Sequence, residues 1–217
     1  MREKKIRLRE LFRKYVRDEV MLEKWQWVGI MMILVVFAGF FGWVYEFIFY
    51  YFDAGTGECY MQGGNLLPLI NIYAIGAVLI VFSCWKLRRY PWVVFLLAMV
   101  VSGIVELVGG WLVYTIGNGT RYWDYNTEIL NFGNIGGFVC LRSVLFFGVS
   151  ALFLMYVVVP GFMWLSYRMS RRAFMILAIS LFAVVMVDEV YNILASKVFG
   201  WPGAMEFYKL MGWKYLT

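Results

Sequence analysis

Long apolar runs alternate with short polar connections along most of the chain. An apolar run of about 20 residues is long enough to cross the hydrocarbon core of a bilayer as a helix. Five runs reach this length, at 28–50, 66–85, 92–116, 144–165 and 173–195. The pattern therefore predicts an all-α fold, a polytopic bundle of five transmembrane helices within residues 25–195.

Composition and charge agree with this class and add an orientation. The chain is 63% hydrophobic and only 16% charged, outside the usual range of soluble domains. Lys and Arg concentrate in residues 1–24 and in the second and fourth connections, whereas the first and third connections are nearly free of them. Because basic residues favour the cytoplasmic side, we expect a multi-pass protein of the plasma membrane with the N-terminus inside and the C-terminus outside.

The two ends of the chain predict interfacial segments. Residues 1–24 place apolar side chains on one side and basic ones around the rest, which favours an amphipathic helix on the cytoplasmic surface, in contact with anionic lipid. A docking helix for a soluble partner such as an ATPase is the alternative. The aromatic and lysine residues of 196–217 predict an interfacial segment on the outer face. We expect no nucleic-acid partner.

The first and third runs each carry two glycines and one glutamate on a single helical face. The sets are Gly39, Gly42 and Glu46 in the first run, and Gly103, Glu106 and Gly110 in the third. Small residues let helices approach closely, so we expect these two helices to meet through their glycines with the carboxylates between them. Snorkelling of Glu46 to the outer headgroups is the alternative for that residue.

Ionisable groups inside apolar runs are candidate functional residues, because charge at membrane depth is costly. Glu106 lies deepest, and we expect Arg142 to be its partner. Polar residues in the outer half predict a chamber open to the outer side, whose carboxylates favour a cation, a proton relay or a metal bound through oxygen. The candidate solute-binding residues are Glu46, Asn71, Tyr73, Glu106, Arg121, Asp124, Arg142 and Asp188.

The residue types in the chain limit which metal, cofactor and disulfide sites it can form. The chain has no histidine, which excludes histidine metal sites and histidine bases. We expect no cofactor, since there is neither a P-loop nor a dinucleotide fingerprint. Cys59 and Cys140 both lie toward the outer side, where they could form a disulfide or remain unlinked thiols.

Five short motifs within residues 41–148 resemble one known family. They are Gly42-Trp43-x-x-Glu46; Pro68, Tyr73 and Gly76; Glu106; Arg121-x-Trp123-Asp124-Tyr125; and Asn134, Gly137 and Cys140-Leu141-Arg142. In order and spacing the chain resembles the bacterial type IV, CmpB-like, ABC-transporter permease family. It departs from the family at Gln62-Gly63, where the family has Arg-Gly, and at Asn71 and Ala74, where the family has Pro and Gly.

The resemblance implies a permease-like transport component with a carboxylate-lined chamber. Five helices are few for a transporter, so we expect a separate ATPase subunit or a homo-oligomer, and any ATP must be bound by a partner. Two alternatives stay open. One is a non-catalytic scaffold or sensor in which the charges hold helices together. The other is a membrane enzyme acting on a lipid, which the absence of histidine and of an Asp-rich metal motif disfavours.

Overall fold

In the described part of the chain, eight α-helices and a pair of two-residue strands make up the fold. The computed structural model describes residues 7–53, 60–61, 65–119, 121–192, 194, 198–212 and 214–215. The elements are α1 Leu8–Val16, α2 Lys24–Asp53, β1 Tyr60–Met61, α3 Asn71–Cys84, a 3-10 turn Trp85–Leu87, α4 Pro91–Ile116, α5 Leu141–Phe153, a π-helical stretch Leu154–Val158, α6 Val159–Arg168, α7 Arg171–Tyr191, α8 Ala204–Leu210 and β2 Lys214–Tyr215. The strands pair in parallel, Tyr60 opposite Lys214.

Four helical stretches are long and apolar enough to span a membrane. They are α2, α4, α7 and the continuous helix of residues 141–168 formed by α5, the π stretch and α6. The predicted span 66–85 is helical only from Asn71, so Pro68 precedes α3. Since α3 is shorter than a full crossing, five spans remain a prediction, as does the orientation of the termini.

Pro160 does not end its helix. Proline inside a helix usually kinks or ends it, but this helix continues through α6 to Arg168. The π stretch ends two residues before the proline, and the N–H of Val159 donates to the carbonyl of Leu154 five residues back. A π turn shifts the hydrogen-bond register, which allows a residue without an N–H to fit inside a continuous helix.

The segment 65–70 enters the bundle without forming a helix. Its last residue, Ile70, donates its N–H to the carbonyl of Gly39 at 3.0 Å, near the middle of α2. Backbone without secondary structure is tolerated at membrane depth only where its polar groups are satisfied. The N–H groups of Leu66 and Leu67 bond Asp188 and that of Leu69 bonds the Leu67 carbonyl. Pro68 has no N–H to satisfy.

A buried arginine in the connection between α3 and α4 holds α1 against the bundle. Arg88 has no exposed surface; its Nε donates to the Tyr15 carbonyl at 2.8 Å and its guanidinium also pairs with Asp18. Leu11 and Tyr15 of α1 are fully buried, and burial raises the pKa of Tyr15 above its ordinary value. The helix is therefore packed on the bundle through these two residues, while Phe12 is exposed.

Candidate functional site

A polar cavity lies at the end of the bundle where α2 and α4 finish and α5 begins. Its charged lining residues among those described are Glu46, Glu106, Glu128 and Arg142. The cavity volume of about 40 Å³ is room for about three water molecules or a small ion, since one water needs roughly 10–15 Å³. Three carboxylates and one guanidinium therefore face the same small space.

Glu106 is buried in the wall of this cavity, only 4% exposed. Its Oε1 accepts a hydrogen bond of 2.5 Å from the Tyr125 hydroxyl, and its Oε2 accepts one of 2.7 Å from Ser143 Oγ. Burial and the neighbouring carboxylate raise the pKa of Tyr125 well above its ordinary value. Tyr125 therefore remains a neutral donor to Glu106 across the physiological pH range.

Ser143 can hydrogen-bond to Glu106 whether Glu106 is ionised or protonated. Its Oγ lies 2.7 Å from Glu106 Oε2 and 2.8 Å from the Cys140 carbonyl, although a hydroxyl has one proton to donate. When Glu106 is ionised, Ser143 donates to it. When Glu106 carries a proton, the carboxyl can donate to Ser143 while Ser143 donates to Cys140. The site can thus hold or release a proton without breaking its hydrogen-bond network.

Arg142 pairs with Glu128 and not with Glu106. The guanidinium forms an ion pair with Glu128 Oε2, whose other oxygen accepts from Tyr50 at 3.0 Å. The expected central pair of Glu106 and Arg142 is therefore wrong in its partner, although both residues line the cavity. The pairing arises because the loop after α4 folds back and places Glu128, a residue that the sequence pattern did not single out, against Arg142.

A second carboxylate reaches the cavity without a basic partner. Glu46 is half-buried on α2 and hydrogen-bonded to Tyr73 of α3. Within the described part of the chain, neither Glu46 nor Glu106 forms an ion pair with Lys or Arg. In that part of the chain, the side chains that hydrogen-bond to them carry hydroxyl groups.

The glycine faces pack against side chains and not against each other. A Cβ at Gly42 would lie 2.7 Å from the Cβ of Tyr73 and would overlap its ring, so the glycine lets Tyr73 reach Glu46. A Cβ at Gly110 would lie 2.9 Å from Phe138. The expectation that α2 and α4 meet through glycines is therefore wrong, because α3 and the loop before α5 cover these two faces. Gly39 and Gly103 lie against Leu69 and Val144, respectively.

Arg121 and Asp124 shape the loop that carries Tyr125 and Glu128. They form an ion pair, with Arg121 Nη1 3.5 Å from Asp124 Oδ1. Arg121 also donates to the Gly136 carbonyl at 2.9 Å. Neither residue lines the cavity. Gly137 adopts a φ of +80°, and a Cβ there would collide with both side chains and with Asn126, so this turn requires glycine.

The two remaining solute-binding candidates also lie away from the cavity. Asp188 is buried at 4% exposure; its Oδ1 accepts from Leu66 at 2.9 Å and its Oδ2 from Leu67 at 3.0 Å. Its neighbour Glu189 accepts from Asn65, so both acids bind the segment that leads into α3. Asn71 is exposed at the start of α3.

Other predicted chemistry is limited by which residues the structure describes. Cys140 is buried with its thiol free, whereas Cys59 lies outside the described residues, so the disulfide expectation stays a prediction. Across the described ranges, no three Cys, Asp or Glu residues are grouped as metal ligands. The cavity therefore presents carboxylates, hydroxyls and one guanidinium to any ligand.

Comparison with known proteins assigns the family. The family model described as "Putative ABC-transporter type IV" matches residues 33–193. This match extends beyond the motifs of residues 41–148 and includes α7 with Asp188, which the motifs alone had left outside. Neither the curated proteins nor the solved structures gave a match. Since the match covers most of the chain, from α2 to the end of α7, the protein belongs to this ABC-transporter type IV family and is a multi-pass membrane protein.

Proposed function

We propose that the protein is a permease-like transport component that binds a cationic solute in the polar cavity. The observation that supports this most is that Glu46 and Glu106 reach one cavity without a basic partner among the described residues. A charged side chain near the bilayer centre costs about 2.5–3.5 kcal/mol. A bound cation would offset that cost, as would a proton on either carboxylate.

The cavity is proposed to open to the outer side. In the predicted orientation α2 and α4 end outside, and Glu46 and Glu106 lie in the outer halves of their helices. The solute would reach Glu46 first, because that residue is half-buried, and Glu106 second, because it is almost fully buried. Tyr125 and Ser143 hold Glu106 in place from the loop and from α5.

Energy for transport would come from ATP hydrolysis by a partner subunit or from an ion gradient. Family membership favours a separate ATPase subunit, and a homo-oligomer would supply more helices than one chain has. The Ser143 arrangement also suits a proton-coupled step, since Glu106 can change its charge without losing its hydrogen-bond partners.

The test is binding of tetramethylammonium, a small cation probe, to the purified protein in nanodiscs. Glu46→Gln and Glu106→Gln keep size and hydrogen bonding while removing charge, so each should weaken binding at least tenfold. Glu10→Gln is the matched control, because Glu10 is exposed on α1 and pairs only with Lys14 there. Unchanged binding in both cavity variants, with the fold intact by circular dichroism, would contradict the proposal.

A scaffold or sensor is the second candidate, favoured by the Arg142–Glu128 ion pair and by the clamp of Asp188 on residues 66–67. Both sets of contacts join helices to loops, which is a structural role. Replacing Glu46 and Glu106 with Gln distinguishes the two functions. A scaffold keeps its partners and stability after that change, whereas a transport component loses cation binding.

A further inference from the structure

A second, apolar cavity lies directly beside the polar one. It has a volume of about 60 Å³ and is lined by α2, α3, α4 and the helix that follows Arg142. The two cavities share Ile72, Tyr73, Glu106, Phe146 and Phe147 as walls. A ligand that reaches Glu106 can therefore extend an apolar portion into the second cavity.

Aromatic pairs separate this apolar cavity from the lipid-facing surface. Across the boundary between α2 and the helix of residues 141–168, Phe41 stacks on Phe153 with ring centroids 6.3 Å apart. Tyr45 stacks on Phe146 at 3.8 Å. Phe41 and Phe153 are 36% and 45% exposed. The boundary is thus formed by aromatic side chains from both helices.

The helix wall beside these pairs has an irregular turn. The π stretch Leu154–Val158 contributes Leu154 and Val158 to the apolar cavity. π turns are rare and occur frequently at functional sites, where they displace side chains from regular helical positions. Here the irregular turn forms part of the wall of the apolar cavity.

The polar cavity has the features of a site for a quaternary ammonium group. Most of its lining side chains are aromatic, including Tyr45, Trp123 and Phe147. Aromatic ring faces attract cations, and cages of such rings recognise quaternary ammonium groups. Both oxygens of Glu106 already accept hydrogen bonds. A cation without N–H groups would need only the negative charge and the ring faces.

We propose that the two cavities together bind a single-chain amphiphile with a quaternary ammonium head and an alkyl chain. The head occupies the polar cavity between Glu46 and Glu106, and the chain occupies the apolar cavity. Because the cavity volumes are about 40 and 60 Å³, both cavities must widen when this ligand binds. The head enters from the outer side, as proposed above, and the alkyl chain follows from the bilayer between α2 and α5, past Phe41 and Phe153. This inference rests on the proposed function and specifies its substrate class and route of entry.

The test compares tetramethylammonium with octyltrimethylammonium, measured as binding to the protein in nanodiscs after subtraction of empty nanodiscs. Each methylene that enters an apolar cavity contributes about 0.8 kcal/mol, or about fourfold in affinity. Gly76 lines the apolar cavity, and a Cβ there meets nothing within 4 Å. Gly76→Leu should therefore fill the cavity without a collision at Cβ.

We expect Gly76→Leu to weaken octyltrimethylammonium binding at least tenfold and to leave tetramethylammonium binding unchanged. Gly161→Leu is the matched control, since Gly161 also has open space around it but lines neither cavity; it should change neither affinity. Glu106→Gln should weaken both cations together. Comparison of variants in identical nanodiscs cancels the partition of the alkyl chain into lipid.

The outcomes separate the two proposals. If both cations bind equally, or if Gly76→Leu leaves octyltrimethylammonium binding unchanged, the amphiphile inference is wrong while cation binding in the polar cavity stands. If Gly76→Leu weakens both cations equally, the two cavities do not act as separate head and chain sites, and the inference is also wrong. If neither cation binds the wild-type protein, both the inference and the proposed function are wrong.

Discussion

Removing Arg142 from the Arg142–Glu128 ion pair should destabilise the protein more than removing the charge of Glu128. The side chains of Arg142 and Glu128 are 15% and 7% exposed. Removal of one partner from a buried pair typically costs about 3–5 kcal/mol, because the other charge remains buried. We expect Arg142→Met to reach that range, since Glu128 then shares the cavity with Glu46 and Glu106 and no cation.

Glu128→Gln should cost less, about 1–3 kcal/mol. Arg142 would still have Glu106 close enough to interact electrostatically, and its guanidinium lies over the ring of Phe49, with its central carbon 4.5 Å from the centroid. The double variant should cost less than the sum of the two single variants, because it removes both charges together. The difference between the sum and the double variant is the coupling energy of the pair.

The assay is equilibrium unfolding in mixed micelles, followed by far-ultraviolet circular dichroism, for the wild type, both single variants and the double variant. A coupling energy of about 2 kcal/mol or more supports the pair as described. Strict additivity of the two single effects, or an Arg142→Met variant as stable as the wild type, would refute the assignment of Glu128 as the partner.

Three further predictions use the same contacts. Gly42→Ala should destabilise the protein by about 1–3 kcal/mol, because the new Cβ overlaps Tyr73, whereas Gly76→Ala should be neutral or slightly stabilising; thermal unfolding compares them, and equal effects would contradict the close approach. Asp188→Ala should cost at least about 2 kcal/mol and expose the amides of 66–67 to hydrogen exchange, and unchanged exchange there would argue against the clamp. Because burial raises the pKa of Tyr125, Tyr125→Phe should leave unchanged the number of tyrosines that ionise between about pH 9 and 11 in an ultraviolet titration; one fewer in the variant would mean that Tyr125 titrates normally.

The carboxylates of the site could be predicted from sequence because they interrupt apolar runs. Glu46 and Glu106 stand in long stretches of lipid-compatible residues, where the cost of charge makes them conspicuous. Glu128 could not be found in the same way, since it lies in a polar connection where acids are ordinary. Its role depends on the fold of residues 117–139, which brings Tyr125 back to Glu106 and Glu128 to Arg142.

Helical periodicity predicted which residues share a face but not what covers that face. The glycine faces of α2 and α4 were predicted correctly as sets, yet Tyr73 and Phe138 cover them. The position of Asp188 shows the same limit. Its burial follows from its place in an apolar run, whereas its bonds to Leu66 and Leu67 join segments far apart in sequence. Such pairings depend on tertiary packing, which a local pattern does not encode.

The second apolar run becomes helical later than its composition suggests. Composition alone suits a span at 66–85, but the carbonyl of Gly39 and the carboxylate of Asp188 take up the N–H groups of residues 66, 67 and 70. These bonds replace the helical ones, so α3 begins only at Asn71. The non-helical entry segment is thereby held beside the helix that carries Glu46.

The most direct test of the account is a structure of the protein determined with octyltrimethylammonium present. We expect density for the ammonium head between Glu46 and Glu106, with the alkyl chain continuing past Phe146 toward Gly76. An empty polar cavity at a saturating concentration of this cation, with the ligand bound elsewhere or absent, would contradict the claim that these carboxylates form a cation site.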